Sequence, residues 1–288
     1  MVIGVGLIGG SVALALKARR QVGEVVGVGR SRANLATALE SNVIDRGLTL
    51  EEPWTRELAD ADIVLLATPV AQFPQLLAAM AAALGKRTVV TDAGSTKQDV
   101  VNAAVAHLGS ALPRFVPAHP IAGTENSGAG AAFASLYEGR DTIVTPLPLT
   151  DPQALASVHA LWELCGARVL SLAPAVHDRI FAAVSHLPHL VASVYMAELA
   201  GRSDAGTTLG LAGTGFRDFT RIAAASPEMW RDITLANRDA LLDELNALGK
   251  ALESIRSSLQ SSDRGAIERL FCAASEARRA WSRTSTES

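Results

Sequence analysis

Through the first 172 residues, short apolar runs alternate with stretches of helical spacing. Strand-like runs lie at 2–5, 25–28, 63–67, 88–91, 114–117, 142–145 and 168–172, and helical patterns fill 9–18, 32–41, 70–84, 97–107 and 152–165. This alternation predicts a largely parallel sheet covered by helices. Ile63, Val64, Leu65, Leu66 and Ala67 are apolar without a break, the pattern of a strand buried on both faces. At Pro174 the pattern changes. One helix is predicted over 174–201, with a proline in its first turn. A second starts at Ser226 and Pro227 and runs towards Leu248, and helical spacing continues over 249–281. The stretch 202–220, rich in Gly, Thr and Ser, reads as a loop or short helices. The expected boundary is residue 173, between an α/β domain at 1–173 and an all-α domain at 174–288 whose polar end frays.

Gly4-Val5-Gly6-Leu7-Ile8-Gly9-Gly10-Ser11 carries the G-x-G-x-x-G spacing between a strand and a helix, inside a βαβ unit. That context marks a Rossmann-type dinucleotide site. Gly4 permits the tight turn, Gly6 lets the backbone approach a pyrophosphate, and Gly9 lets helix and strand pack closely. The N–H groups of the first helical turn, with Leu7 and Ile8, then face the anion. After the second strand the chain reads Val28-Gly29-Arg30-Ser31-Arg32, without the acid that usually holds the ribose hydroxyls of NAD. Arg30 and the Ser31 hydroxyl suit a 2′-phosphate, so NADP is the preferred cofactor expected, with NAD as the other. Thr68 and Pro69 end a strand at the sheet edge where ligands of such folds collect.

Length and charge narrow the classes. The 288 residues are 49% hydrophobic and 19% charged, enough for two cores. The net charge of −3 and a pI near 6.1 supply no field for nucleic acid or an anionic membrane, and neither is expected as a partner. No signal-peptide pattern and no bilayer-length apolar run is read. Cys165 and Cys272 both read as buried small hydrophobes, which fits a reducing cytoplasm. The first strand is about half the usual length, which suggests that the chain begins a few residues upstream.

Two further strand ends carry chemistry-capable residues: Thr91-Asp92-Ala93-Gly94-Ser95-Thr96-Lys97, and the segment from Pro117 through His119 to Gly128. A histidine on the cofactor side of a sheet is placed to take a proton from a substrate hydroxyl while hydride leaves for a nicotinamide. Asp178, Ser185 and His189 are spaced to share one helix face. No H-E-x-x-H or cysteine ligand set accompanies the histidines, so no metal is expected. The segment Gly213–Arg221 combines a flexible loop with Arg217 and Arg221, and arginine recognises carboxylates bidentately.

The ordered set GVGLIGGS at 4–11, TDAGSTK at 91–97, HPIAGTENSG at 119–128, HD at 177–178, SHLPH at 185–189, GFRDFTR at 215–221 and PEMWRD at 227–232 resembles the prephenate/arogenate dehydrogenase family. The resemblance implies a helical second half that dimerises, with the active site between the domains. It implies oxidative decarboxylation of a cyclohexadienol, prephenate or arogenate, in tyrosine biosynthesis. His119 then matches the catalytic histidine on the ring C4 hydroxyl, and Ser95 the serine sharing that bond. Arg221 matches the arginine on a substrate carboxylate, and His189 a second substrate-side histidine. Thr124 and Arg217 join the substrate side. Glu125, His177, Asp178 and Asp218 match a polar network that gates or supports the site, Ser185 lies with it, and Trp230 matches an aromatic that reaches the site. No stretch is left for a fused chorismate mutase domain or a C-terminal regulatory domain, so tyrosine is expected to act as product or competitive inhibitor in the active site.

Two other readings share part of the pattern. A two-domain dehydrogenase of the β-hydroxyacid or pyrroline-carboxylate reductase type has the glycine turn but no place for HPIAG and SHLPH. A non-catalytic NADP-sensing regulator would dispense with His119 and Arg221, and both are present.

Overall fold

The structure is a computed structural model that describes residues 1–124 and 126–284. Its strands are β1 (Val2–Ile3), β2 (Val26–Gly29), β3 (Arg46–Thr49), β4 (Ile63–Leu66), β5 (Val89–Asp92), β6 (Phe115–Val116), β7 (Ala118–Pro120), β8 (Asp141–Val144) and β9 (Arg168–Ser171). Its α-helices are α1 (Leu7–Ala18), α2 (Arg32–Glu40), α3 (Phe73–Met80), α4 (Gln98–His107), α5 (Pro152–Leu164), α6 (Pro174–Phe181), α7 (Leu187–Ala200), α8 (Ala205–Gly210), α9 (Thr214–Thr220), α10 (Pro227–Ala236), α11 (Arg238–Gln260) and α12 (Arg264–Thr284).

Six strands form a parallel sheet in the order β3-β2-β1-β4-β5-β6. This is the doubly wound dinucleotide-binding order, with its switch point between β1 and β4. The unbroken apolar run of β4 serves both faces. Val64 and Leu66 pack with Phe73, Leu77 and Met80 of α3, and Leu65 packs on the other side with Val158 and Trp162 of α5. The third strand has no sequence signal, because Arg46-Gly47-Leu48-Thr49 at the sheet edge is only partly buried and has no apolar run.

Pro117 ends the sixth strand after two residues, since proline has no N–H to donate to the ladder. The chain then enters a second sheet, β7-β8-β9, with β7 antiparallel and β9 parallel to β8. The stretch 114–117, expected as one strand, therefore continues through a proline corner into the strand that carries His119.

The long helix expected over 174–201 is interrupted. Between α6 and α7, Ala182–His186 forms a π-helical turn. Pro188 explains it: proline cannot donate to the preceding turn and its ring clashes there, and the wider turn relieves both. By length and composition alone the helical stretch Pro174–Ala200, with mean hydropathy 1.4, is apolar enough to cross a membrane. Histidines and Asp178 interrupt that stretch, and His177, Asp178 and His186 are buried inside the protein. The helix expected from Ser226 to Leu248 breaks at Asn237, which ends α10.

The chain divides into two compact units. Met1–Arg238 holds both sheets and α1–α10, and the second runs from Asp239 onward as the pair α11 and α12. Cys165 is buried, as expected, whereas Cys272 on α12 is exposed.

Candidate active site

The glycines of the turn differ in the space their backbone leaves. Gly4 has φ +99°, and a Cβ there would lie 2.5 Å from the Ala67 carbonyl oxygen at the end of β4. A Cβ on Gly9 would meet the Gly4 carbonyl oxygen at 2.4 Å. Gly6 faces open space, with nothing within 4 Å of its would-be Cβ. No side chain caps α1 and its first turn holds no acid, so its N–H groups and positive dipole end are available to an anion. Three side chains brace the turn: Asn34 donates to the Val5 carbonyl (2.6 Å) and accepts from Ala129 N (2.8 Å), Tyr137 donates to the Ile8 carbonyl (2.6 Å), and Ser11 accepts from Phe133 N (3.0 Å).

A cleft of about 440 Å³ opens from this turn. Gly6, Leu7, Ile8, Thr68 and Pro69 line it together with Ser95, His119 and Thr124. Met229 and Ile233 of α10 close it. The cleft thus brings the glycine turn together with Ser95, His119 and Thr124, which lie far from it in sequence.

Behind the cleft, His119 is held by a chain of hydrogen bonds. His119 Nδ1 lies 2.8 Å from His177 Nε2, and His177 Nδ1 lies 2.8 Å from Asp178 Oδ1. The Asp178 carboxylate also accepts from Lys97 N and Gln98 N, both at 2.8 Å, which places it on the N-terminus of α4. An ionised Asp178 requires the His177 proton on Nδ1. His177 Nε2 is then an acceptor, His119 carries its proton on Nδ1, and its Nε2 keeps a lone pair. Phe181 packs against both rings, at 4.9 Å from His119 and 4.4 Å from His177.

Burial, and then the neighbouring His177, Lys97 and His186, hold the His119 imidazole well below its ordinary pKa. Burial also lowers His177, against the pull of Asp178. For Asp178, burial alone would raise the carboxyl, but the donors from His177, Gln98 and Lys97 prevail and lower it. A neutral His119 beside an anionic Asp178 is the state suited to accepting a proton.

A second cluster lies on α7 and α10. His189 stacks on Trp230 with ring centroids 3.7 Å apart and donates from Nδ1 to the Ser185 carbonyl at 3.0 Å. Burial, and then the positive charge of Arg221, lower its pKa. Arg217 and Asp218 are exposed on α9 and do not line the cleft. Arg30 and Ser31 are exposed at the end of β2, and the Ser31 hydroxyl accepts from Asn34 N as the cap of α2. Glu125 lies outside the described residues. Among the described residues no group of three or more His, Cys, Asp or Glu is placed to hold a metal.

Sequence reasoning missed three groups here. Lys97 and Asp92 form an ion pair with no exposure to solvent, although a lysine in a polar turn reads as a surface residue. His186 is buried and accepts at Nδ1 from Asn237, which also donates to the Asp178 carbonyl. No sequence spacing signals that link between residues 51 apart.

The fold and the cleft define a nicotinamide-dinucleotide-dependent dehydrogenase with an α/β nucleotide-binding part followed by a helical part. Family models agree: residues 12–171 match "Prephenate dehydrogenase, nucleotide-binding domain" and 173–273 match "Prephenate dehydrogenase, dimerization domain". The chain is 35% identical to a prephenate dehydrogenase of Bacillus subtilis, over 96% of this chain and 74% of that protein. It is 36% identical to a cyclohexadienyl dehydrogenase of Zymomonas mobilis, over 91% and 88%. The crystal structure of the Aquifex aeolicus prephenate dehydrogenase with hydroxyphenyl propionate and NAD+ superposes with a TM-score of 0.85 at 34% identity, covering 93% of each chain. Synechocystis arogenate dehydrogenase gives 0.78 at 29% identity, covering 97% and 98%. The chain belongs to the prephenate dehydrogenase family.

Proposed function

We propose that this chain catalyses the oxidative decarboxylation of prephenate or arogenate, with NADP preferred over NAD, as a cytoplasmic homodimer in tyrosine biosynthesis. The observation that carries the reading is the lone pair of His119 Nε2, left free by the chain through His177 to Asp178 on the wall of the dinucleotide cleft.

The residues present fit the cofactor. Gly6 leaves room for a pyrophosphate, the uncapped N-terminus of α1 faces it, and Thr68 and Pro69 line its path. When bound, the nicotinamide supplies the hydride acceptor. His119 takes the proton of the ring C4 hydroxyl as the C4–H bond breaks, and Ser95 shares that hydroxyl. The C4 carbonyl so formed draws in the electron pair of the C1–carboxylate bond. CO2 leaves and the ring becomes aromatic, so the protein need only orient the ring and hold the base. Arg221 and His189 bind a substrate carboxylate, Trp230 backs His189, and Thr124 on the cleft lining joins the substrate side. Tyrosine competes for the same subsite. The match to a dimerisation domain and the exposed Val194, Tyr195 and Phe219 support the homodimer.

The test is NADPH and NADH formation at 340 nm with prephenate and with arogenate. His119→Asn is expected to lower kcat by at least 100-fold with little change in KM, the scale of a lost general base. A variant of undiminished kcat would overturn the assignment.

A further inference from the structure

Lys97 is buried with no exposed surface, yet nothing in the reaction above calls on it. Its ammonium donates to Asp92 Oδ2 and to the Ala118 carbonyl, the latter at 2.6 Å. Asp92 accepts in turn from Ala118 N at 3.0 Å and from Gly94 N at 2.7 Å. Both backbone groups of Ala118, the residue before His119, are therefore held by one ion pair that ties the end of β5 to β7. Pro117 has just broken the ladder of the parallel sheet at this point, so the pair takes over the hydrogen bonding that would otherwise fix the strand. Three donors on Asp92 favour its charged form, although burial pushes its carboxyl up from its ordinary value.

We infer that Lys97 is a positioning residue for His119: its buried ammonium fixes the strand that carries the imidazole and sets a positive charge one residue away from it, on the Ala118 carbonyl. The inference rests on the reading of His119 as the base. The charged and titratable groups acting on His119 are His177 from α6, His186 from the π turn and Lys97 from the segment after β5; Asp178 stands one bond further on His177, and Asp92 at the end of β5 one bond further on Lys97. Lys97 is the one lysine or arginine among them. A cation inside a poorly solvated site disfavours a second positive charge, so it keeps the imidazole unprotonated as pH falls. Lys97 stands among the causes that lower the His119 pKa, after burial and His177.

Three variants separate this role from a merely structural one, read through the acid limb of kcat/KM. Lys97→Met removes the charge, and Asp92 can then take up a proton. The acid limb is expected to move up by about one pH unit, with kcat lowered about tenfold and cofactor KM within twofold of the parent. Lys97→Arg keeps the charge and is expected to keep the limb where it was, even if kcat falls. Asp92→Asn strips the ammonium of its neutralising partner, and the limb is expected to move the opposite way, to lower pH. A folded Lys97→Met enzyme with an unmoved acid limb overturns the inference. If that variant does not fold, Asp92→Asn decides: an unmoved limb or an upward shift overturns it. His119→Asn keeps the two readings apart, since a fully active His119→Asn enzyme removes the base itself, whereas an unmoved limb with an inactive His119→Asn enzyme removes only the role of Lys97.

Discussion

His119 Nδ1 and His177 Nε2 stand 2.8 Å apart, and only one of them can hold the proton between them. Asp178 decides which, because its carboxylate accepts a hydrogen bond from His177 Nδ1–H at 2.8 Å and so keeps that proton on Nδ1. The carboxylate is fixed by the first N–H groups of α4, so a helix terminus sets the tautomer of a ring two residues further along the chain of bonds.

Replacing His177 by leucine removes the acceptor for His119 Nδ1–H. The His119 ring then loses both its orientation and its fixed tautomer, while the cleft wall keeps its shape. We expect kcat to fall about 10- to 100-fold, part of the 10²–10⁴ that a placed base supplies, with substrate KM changed less than threefold. Steady-state kinetics beside His119→Asn check this. Equal loss in kcat and binding would contradict a role confined to the base.

The glycine turn, the parallel sheet and His119 itself were legible in the sequence because each rests on local pattern: spacing, an unbroken apolar run, a histidine between two prolines. What was not legible depends on chain reversals. Pro117 turns His119 into a second sheet, and Pro188 widens α6–α7 into a π turn that shifts the register of every residue beyond it. The face expected to join Asp178, Ser185 and His189 at helical spacing is therefore altered. Asp178 and His177 point to α4 and His119, while His189 turns to Trp230. Lys97 escaped notice because its charge is compensated by Asp92 and a backbone carbonyl, neither of which spacing reveals.

His186 makes the fold acid-sensitive. Burial drops its pKa from 6.5 to about 4, and Asn237 holds its Nδ1 as an acceptor. Between these two values the unfolded chain binds the proton that the folded chain refuses, so acid favours unfolding. The contribution is complete above pH 6.5, is lost as pH falls towards 4, and is on the order of 3 kcal/mol at most, since one pKa unit corresponds to about 1.4 kcal/mol. His186→Gln should flatten the fall of Tm between pH 6.5 and 4. An unchanged slope would assign the acid sensitivity elsewhere.

Arg30 and Ser31 set the cofactor preference in the proposed function. Both are exposed at the end of β2, where the chain from Val28 to Arg32 carries no acid and Glu52, just after β3, lies 3.9 Å from Arg32. The Ser31 hydroxyl accepts from Asn34 N but keeps its own proton to donate. Arg30→Ala should raise KM for NADP about tenfold, the value of one charge-assisted contact, and leave KM for NAD within twofold. A parent enzyme that strongly prefers NAD would refute the reading before any variant is made.

Gly4 and Gly6 stand two residues apart, and alanine should separate their roles. At Gly4 the positive φ disfavours a side chain, and the new Cβ would sit 2.5 Å from the Ala67 carbonyl oxygen, which belongs to backbone that cannot yield. At Gly6 a Cβ meets nothing within 4 Å, so the only thing it can obstruct is an incoming ligand. Gly4→Ala should therefore lose stability, by about 1–3 kcal/mol from the strained backbone alone, and show a lower denaturation midpoint without cofactor. Gly6→Ala should unfold at the midpoint of the parent but bind the dinucleotide at least tenfold more weakly in fluorescence titration. A Gly6→Ala protein that binds as tightly as the parent would show that the pyrophosphate does not pass over this turn.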